Sequence, residues 1–192
     1  VIHHYRESNP DVRIKLIEVL SLKHVQAALE NYKIHLAITN QYFENEDIAT
    51  IPIYKENLVV LLPKRHNMEC NENISLTDLK DEKLIICQEG FQTRHDILNA
   101  FRKSGITPNI HFEIERFETA CSLVEEGLGI TIIPENYISF SNNSSFCIKY
   151  IDSPNLSRTV YIAYMKNRYL PPVVEDFLKI SNQFFDNLNK RI

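Results

Sequence analysis

The chain has 192 residues, 44% apolar and 24% charged, with a formal net charge of −4. That is the composition of an ordinary soluble protein, either one α/β domain or two small lobes. Such a chain buries roughly 70% of its unfolded surface without disulfides or metals. The acidic balance and the lack of a lysine or arginine cluster argue against nucleic-acid binding by this segment, and no apolar run reaches membrane-spanning length.

In chain order, residues 1–8 read as the last turns of a helix already under way, closed by Asn9-Pro10, so further sequence upstream is expected. The opening VIHHYRESNP is not a signal peptide. Residues 12–19 alternate Val12, Ile14, Leu16 with Arg13 and Lys15, the period of a strand. Ser21 is a good N-cap for a helix over 22–32, and 34–39 form the next strand. Strand, helix and strand with short joints predict a right-handed βαβ unit and a parallel sheet.

Residues 48–54 and 58–62 read as two strands separated by Lys55-Glu56-Asn57, and 64–73 as a polar loop. Residues 76–79 suggest a short helix. A second βαβ unit opens with a strand at 84–87, the loop 88–92 and a helix over 93–104 ending at Gly105. Thr93 with Asp96 makes an approximate capping box there.

A strand at 110–114 then leads to the stretch FETACSLVEEGLGITIIP at 117–134. Phe117, Ala120, Cys121, Val124 and Leu128 have helical spacing, Gly127 and Gly129 break it, and a β-branched run up to Pro134 reads as a buried strand. A helix at 134–140, a surface loop at 141–145, strands at 148–151 and 159–165 and an amphipathic helix over 171–188 complete the chain. The sheet is thus built twice, which predicts two lobes joined by extended crossing segments.

Chemistry-bearing motifs are few. No nucleophile elbow, phosphate loop, H-E-x-x-H or dinucleotide fingerprint is present. Cys70, Cys87, Cys121 and Cys147 are far apart, without C-x-x-C, which argues against a metal site and fits a reducing cytoplasm. The informative places are helix starts, because open α/β sheets bind ligands outside the carboxyl ends of their strands. Three are candidates: Ser21-Leu22, Thr93-Arg94 and Arg116-Phe117.

An arginine in or before a first turn opposes the helix dipole, and broken local rules of this kind often mark function. A bound anion would reverse the sign, so a carboxylate between the lobes is the predicted ligand. The alternative is that Arg94 and Arg116 extend into solvent or pair with Asp96, Glu113 or Glu118. Core packing is the competing role for Phe91 and Phe117. Thr39, Asn40 and Gln41 sit where a cleft lip would be, with a plain loop as the equal alternative.

The succession NPDVRIKLIEV, HVQAALENYKIHLAIT, IATIPIYKENLVVLLPKRHN, ISLTDLKDEKLII and SLVEEGLGITIIP resembles the effector-binding domain of LysR-type transcriptional regulators, from Tyr5 to about Ile180. The resemblance implies an α/β fold of two Rossmann-like lobes joined by two crossover strands, like type 2 periplasmic binding proteins. Lobe I would be 1–57 and 166–192, lobe II 64–158, and the crossovers 58–63 and 159–165. It further implies a cytoplasmic, non-enzymatic sensor without cofactor that binds a small effector and forms homodimers or homotetramers. It would reach DNA only through an N-terminal domain absent from this chain.

Effector contacts carried over by position are Ser21, Leu22, Asn40, the loop Gly90, Phe91, Gln92, Thr93 and Arg94, and Arg116 with Phe117. The sequence departs from the family at His35, where aspartate is usual, at Tyr32, a common glycine position, and at Arg116, commonly serine or threonine. The first strand of the family fold lies outside the sequence. A solute-binding protein of a transporter, on the same fold, is the alternative, and an enzyme on this scaffold ranks last.

Overall fold

The computed structural model describes residues 1–19, 21–138, 145–153 and 156–189. Its elements begin with α1 (Ile2–Ser8), α2 (Leu22–Glu30), β1 (Ala37–Thr39), β2 (Ile48–Pro63), β3 (Lys83–Cys87) and α3 (Gln92–Lys103). They continue with β4 (Asn109–Ile114), α4 (Phe117–Glu125), β5 (Ile130–Pro134), α5 (Glu135–Ile138), β6 (Phe146–Tyr150), β7 (Ser157–Met165) and α6 (Pro172–Asn189). Two compact units result: unit 1 is Val1–Lys55 with Thr159–Ile192, and unit 2 is Glu56–Arg158. Strands β2 and β7 carry the chain from one unit to the other.

In unit 2 the strand order is β6-β2-β5-β3-β4. β3 pairs parallel with both β4 and β5, whereas β2 pairs antiparallel with β5 and β6. The predicted second βαβ unit is therefore present. Leu58 through Leu62, Leu84 through Cys87 and Ile130 through Pro134 are buried without interruption. Alternate residues of each run go to opposite faces. Leu84 and Ile86 join Ile97, Ala100 and Phe101 of α3 in one apolar cluster, while Ile85 and Cys87 join Ala120 and Val124 of α4 in another. A sheet covered on both faces needs continuous apolar runs rather than alternation.

Unit 1 departs from the predicted parallel βαβ unit. β1 pairs antiparallel with β7, in the register Ala37↔Ala163 and Thr39↔Tyr161. The predicted strand at 12–19 has no ladder among the described residues, and its Ile14, Leu16 and Ile17 side chains face solvent, Leu16 at 74% exposure. Alternation alone does not make a strand; a partner must take its backbone groups. β1 starts at Ala37 and not at residue 34 because the amides of Lys33 and Ile34 close α2 on the Ala28 carbonyl, at 2.9 and 3.3 Å. Apolar clusters line this unit's sheet too, Leu29 of α2 packing with Ala37 and Ala163, and Leu178 and Phe185 of α6 with Ile53 and Ile162. Tyr5, 1% exposed, ties α1 to α6 by donating its hydroxyl to the Val173 carbonyl at 2.8 Å.

Two further expectations are revised. The strands predicted at 48–54 and 58–62 are one strand, β2, because the charged residue at the expected break, Glu56, is neutralised by Arg158 at 2.7 Å. Residues 76–79 form turns and not a helix, with i to i+3 bonds such as Leu79 N to Leu76 O at 3.2 Å. The helix expected at 134–140 is α5, and its last two residues, like most of the loop at 141–145, lie outside the described residues.

The glycine turn after α4 reflects two different constraints. Gly127 has φ +71°, and Leu128 N bonds back to Leu123 O at 3.0 Å, a Schellman closure. At Gly129 the constraint is space, since a Cβ there would sit 2.3 Å from the Lys83 carbonyl oxygen. Gly129→Ala is accordingly expected to cost about 1–3 kcal/mol in urea unfolding, because a backbone atom has to move. Leu16→Ser should stay within about 0.5 kcal/mol of wild type, unlike Ile85→Ala, for which about 2–5 kcal/mol is expected.

Candidate functional site

Parallel neighbours β3 and β4 end together, in the register Cys87↔Ile114, and the Gln88 amide donates to the Ile114 carbonyl at 2.9 Å. The chain leaves both strands at one edge of the unit 2 sheet. There α3 opens after Phe91 and α4 after Arg116. Neither N-cap side chain caps its helix, and both caps have extended backbone, Phe91 at φ −84°, ψ 130° and Arg116 at φ −131°, ψ 137°. Free N–H groups of two helix starts therefore share this edge, each carrying partial positive charge.

Of the residues predicted for the site, Gly90, Phe91, Gln92, Thr93, Arg94, Arg116 and Phe117 are brought to this edge. Gly90 takes φ +95° in the turn that starts α3. Arg94 is committed internally: it donates to the Cys87 carbonyl at 2.8 Å and pairs with Glu113 at 3.1 Å. Arg116 is exposed, and its guanidinium has no hydrogen bond or ion pair among the described residues. Phe91 and Phe117 are half-buried against the α4-side cluster, Phe117 with its ring 5.1 Å from that of Tyr137. Ser21, Leu22 and Asn40 belong to unit 1. Ser21 caps α2 in position but makes no side-chain cap bond, Leu22 packs on the core, and Asn40 follows β1 half-buried.

Thr93 is not a cap. It lies in the first turn of α3, 4% exposed, and its hydroxyl is held by Arg158 at 3.1 Å. Arg158 also binds Glu56 through Nε at 2.8 Å and Asp96 at 3.1 Å, while Gln92 donates to the other Asp96 oxygen at 2.7 Å. This knot of Arg158, Glu56, Asp96 and Thr93 was not legible as a site. Its one sequence signal is a pair of opposite charges, Glu56 and Arg158, inside strands that are otherwise largely apolar.

Carboxylate and hydroxyl groups shape the rim. The Tyr137 hydroxyl donates to Glu118, which holds the Glu118 carboxyl below its usual range, with further help from its backbone and Arg116. Burial first, then that bond, pushes the Tyr137 hydroxyl well up. Cys87, at the end of β3, has its thiol raised to about 11 by burial. Among the described residues no group of three or more His, Cys, Asp or Glu is placed to hold a metal ion, and no helix is long and apolar enough to cross a membrane.

A two-unit mixed α/β architecture with helix starts gathered at a strand edge is that of type 2 periplasmic-binding-protein-like effector domains. The chain belongs to the LysR substrate binding domain family, whose model matches residues 1–186. It is 30% identical over 192 residues to the transcriptional dual regulator GltC of Bacillus subtilis (strain 168), covering 99% of this chain and 63% of GltC. To the HTH-type transcriptional regulator AlsR of the same organism it is 27% identical over 95% of this chain and 60% of AlsR. It thus spans less than two thirds of the length of these curated relatives.

Among solved structures it is similar to the CcmR regulatory domain of Synechocystis PCC6803 in complex with 2-PG (TM-score 0.86, 22% identity, 97% of this chain and 89% of that one). It is also similar to the effector binding domain of QuiR in complex with shikimate (TM-score 0.81, 26% identity, 97% and 88%). The BenM effector binding domain with benzoate gives a TM-score of 0.83 at 23% identity, over 98% of this chain and 85% of that one.

Two outcomes test this geometry. Arg158→Leu leaves two carboxylates facing a partner that is gone, and with side chains only 12% and 9% exposed for Arg158 and Glu56 it should cost about 3–5 kcal/mol in urea unfolding. A thiol whose pKa is raised to about 11 stays protonated at pH 8, so Cys87 should resist iodoacetamide in the folded protein while exposed Cys70 is alkylated. Peptide mapping by mass spectrometry reads the difference.

Proposed function

We propose that the chain is the effector-sensing part of a LysR-type transcription regulator and takes a small carboxylate-bearing metabolite at the unit 2 edge where α3 and α4 begin. One observation carries the reading: two helix starts without side-chain caps open at the same strand edge, and the guanidinium of Arg116, with no hydrogen bond or ion pair among the described residues, stands at one of them. Backbone N–H groups and an arginine at one edge favour negative charge there. Arg94, already held by Glu113 and the Cys87 carbonyl, serves in this reading to fix the loop at Gly90 and Phe91 and lends only part of its charge. Support comes from the relatives: QuiR is described with shikimate and BenM with benzoate, both carboxylates.

The reading has no catalytic step and no cofactor. Effector binding would shift the population of homodimer or homotetramer arrangements, and a separate DNA-binding domain would report it. A net charge of −4 gives this segment no electrostatic footprint of its own for DNA. The alternative, a transporter's solute-binding protein, draws no support from GltC and AlsR, both described as transcriptional regulators.

Calorimetric titration of a panel of small carboxylates, each beside its neutral amide, tests the assignment. At least one carboxylate should bind, its amide should not, and Arg116→Ala should weaken it by the ~1.5–3 kcal/mol of a charge-assisted bond, about 10- to 150-fold. Equal affinity in the variant, or binding by the amides alone, would overturn it.

A further inference from the structure

Unit 1 contains a cavity of about 360 Å³ lined chiefly by Tyr32, Ile34, His35, Met165, Arg168 and Tyr169. It lies at the amino end of β1, since residues 34 and 35 precede that strand while Asn40 follows it. The antiparallel register Ala37↔Ala163 brings Met165 beside residue 35. The cavity is therefore separate from the strand end that carries Thr39 and Asn40.

The way α2 ends singles it out. α2, α3 and α4 all close by the same Schellman pair of bonds: Tyr32 N to Leu29 O and Lys33 N to Ala28 O in α2, Gly105 N to Arg102 O and Ile106 N to Phe101 O in α3, Gly127 N to Val124 O and Leu128 N to Leu123 O in α4. The residue in the left-handed region is glycine in α3 (φ +70°) and in α4 (φ +71°), but it is Tyr32 in α2, at φ +58°. A bulky residue there is strained, and strain of this kind is a reason to look for function. Core packing does not explain it, because Tyr32 is 73% exposed.

What the ring does meet is Arg168, whose guanidinium carbon lies 3.1 Å from the ring centroid. Arg168 is itself fixed, donating to the Leu29 carbonyl and, at 2.8 Å, to the Glu30 carbonyl. Stacking occupies the face of the guanidinium, and these bonds use two of its five N–H groups. Among the described residues no carboxylate pairs with it. Tyr169, 80% exposed, supplies a second aromatic ring, and half-buried Ile34 and Met165 add apolar lining.

We infer that this cavity is a second ligand site, taking a small aromatic acid whose carboxylate meets the edge of Arg168 and whose ring lies against Tyr32, Tyr169 and the apolar lining. The volume falls in the range of small-molecule sites, and a few polar groups in an apolar setting are their usual make-up. A helix cap alone would need neither a strained tyrosine nor an open cavity beside it. The site does not depend on the unit 2 reading.

The test titrates 2-naphthoate, with 2-naphthalenemethanol as neutral control, into the 192-residue chain by calorimetry. Tyr32→Gly is the main variant, because glycine suits the backbone at that position and should leave the melting temperature unchanged or raised. Wild type should bind the acid at least tenfold tighter than the alcohol, Tyr32→Gly and Tyr169→Ala should each weaken the acid at least tenfold, and Arg116→Ala should not change it. Three results would overturn the site: no binding at millimolar acid, equal binding by wild type and both tyrosine variants, or loss in Arg116→Ala instead.

Discussion

Burial of β3, β5 and the unit 2 half of β2 on both faces dictates where the helices of that unit must lie. Because alternate side chains of Leu84 through Cys87 belong to different apolar clusters, a helix is required on each side of the sheet. The two neighbouring parallel strands must each hand the chain to one of those helices from the same end. That α3 and α4 both start from one edge of the sheet is thus a consequence of the packing. Chemistry at that edge comes at little structural cost, since the unsatisfied N–H groups arise wherever parallel strands feed helices.

Arg158 secures one of those helices. Its partners belong to β2 (Glu56), to the first turn of α3 (Thr93) and to the next part of that helix (Asp96), while Arg158 itself lies near the start of β7. A nearly buried guanidinium with two carboxylates carries a net negative balance. Contacts from Gln92 to Asp96 and from Asn136 to Glu56, at 2.7 and 3.4 Å, give the remaining carboxylate oxygens donors. Networks satisfied in this way fix geometry more than they add stability. Here they fix the orientation of α3 just below the loop of Gly90 and Phe91, and they withdraw Thr93 from the role of a free hydroxyl.

How far the sequence disclosed this depends on whether the signal was local. The unit at 117–134 was readable to within a residue or two, because helical spacing, glycine at the left-handed position and a β-branched run all agree there. α3, β3 and α6 were legible for the same reason. Residues 12–19 misled because alternation reports a face and not a partner, and β1 takes its hydrogen bonds from β7, far along the chain. The break expected at Glu56 failed likewise: a charge inside a strand looks like a loop until its counter-ion, 102 residues away, is in view. At the candidate site the α4 start was read at its residue and the α3 start one residue late, but Arg94 and Arg116 look alike in sequence. The contacts with Glu113 and the Cys87 carbonyl separate the committed cation from the open one.

Charge at the α4 start also restricts what the proposed site would hold. Glu118 sits in the first turn, where the helix dipole favours a carboxylate, and Tyr137 strengthens that by donating its hydroxyl. An intrinsic anion thus already occupies part of the field that a bound effector would use. Arg116 and the backbone N–H groups of two helices would have to attract the ligand against that single charge. One carboxylate fits this balance better than two negative charges close together, since a second would face Glu118 without a cation of its own. The half-buried rings of Phe91 and Phe117 beside the same helix starts then set an apolar boundary. For a carboxylate at this proposed site, the size and hydrophobicity of its body, more than its charge, would be left to discriminate among acids.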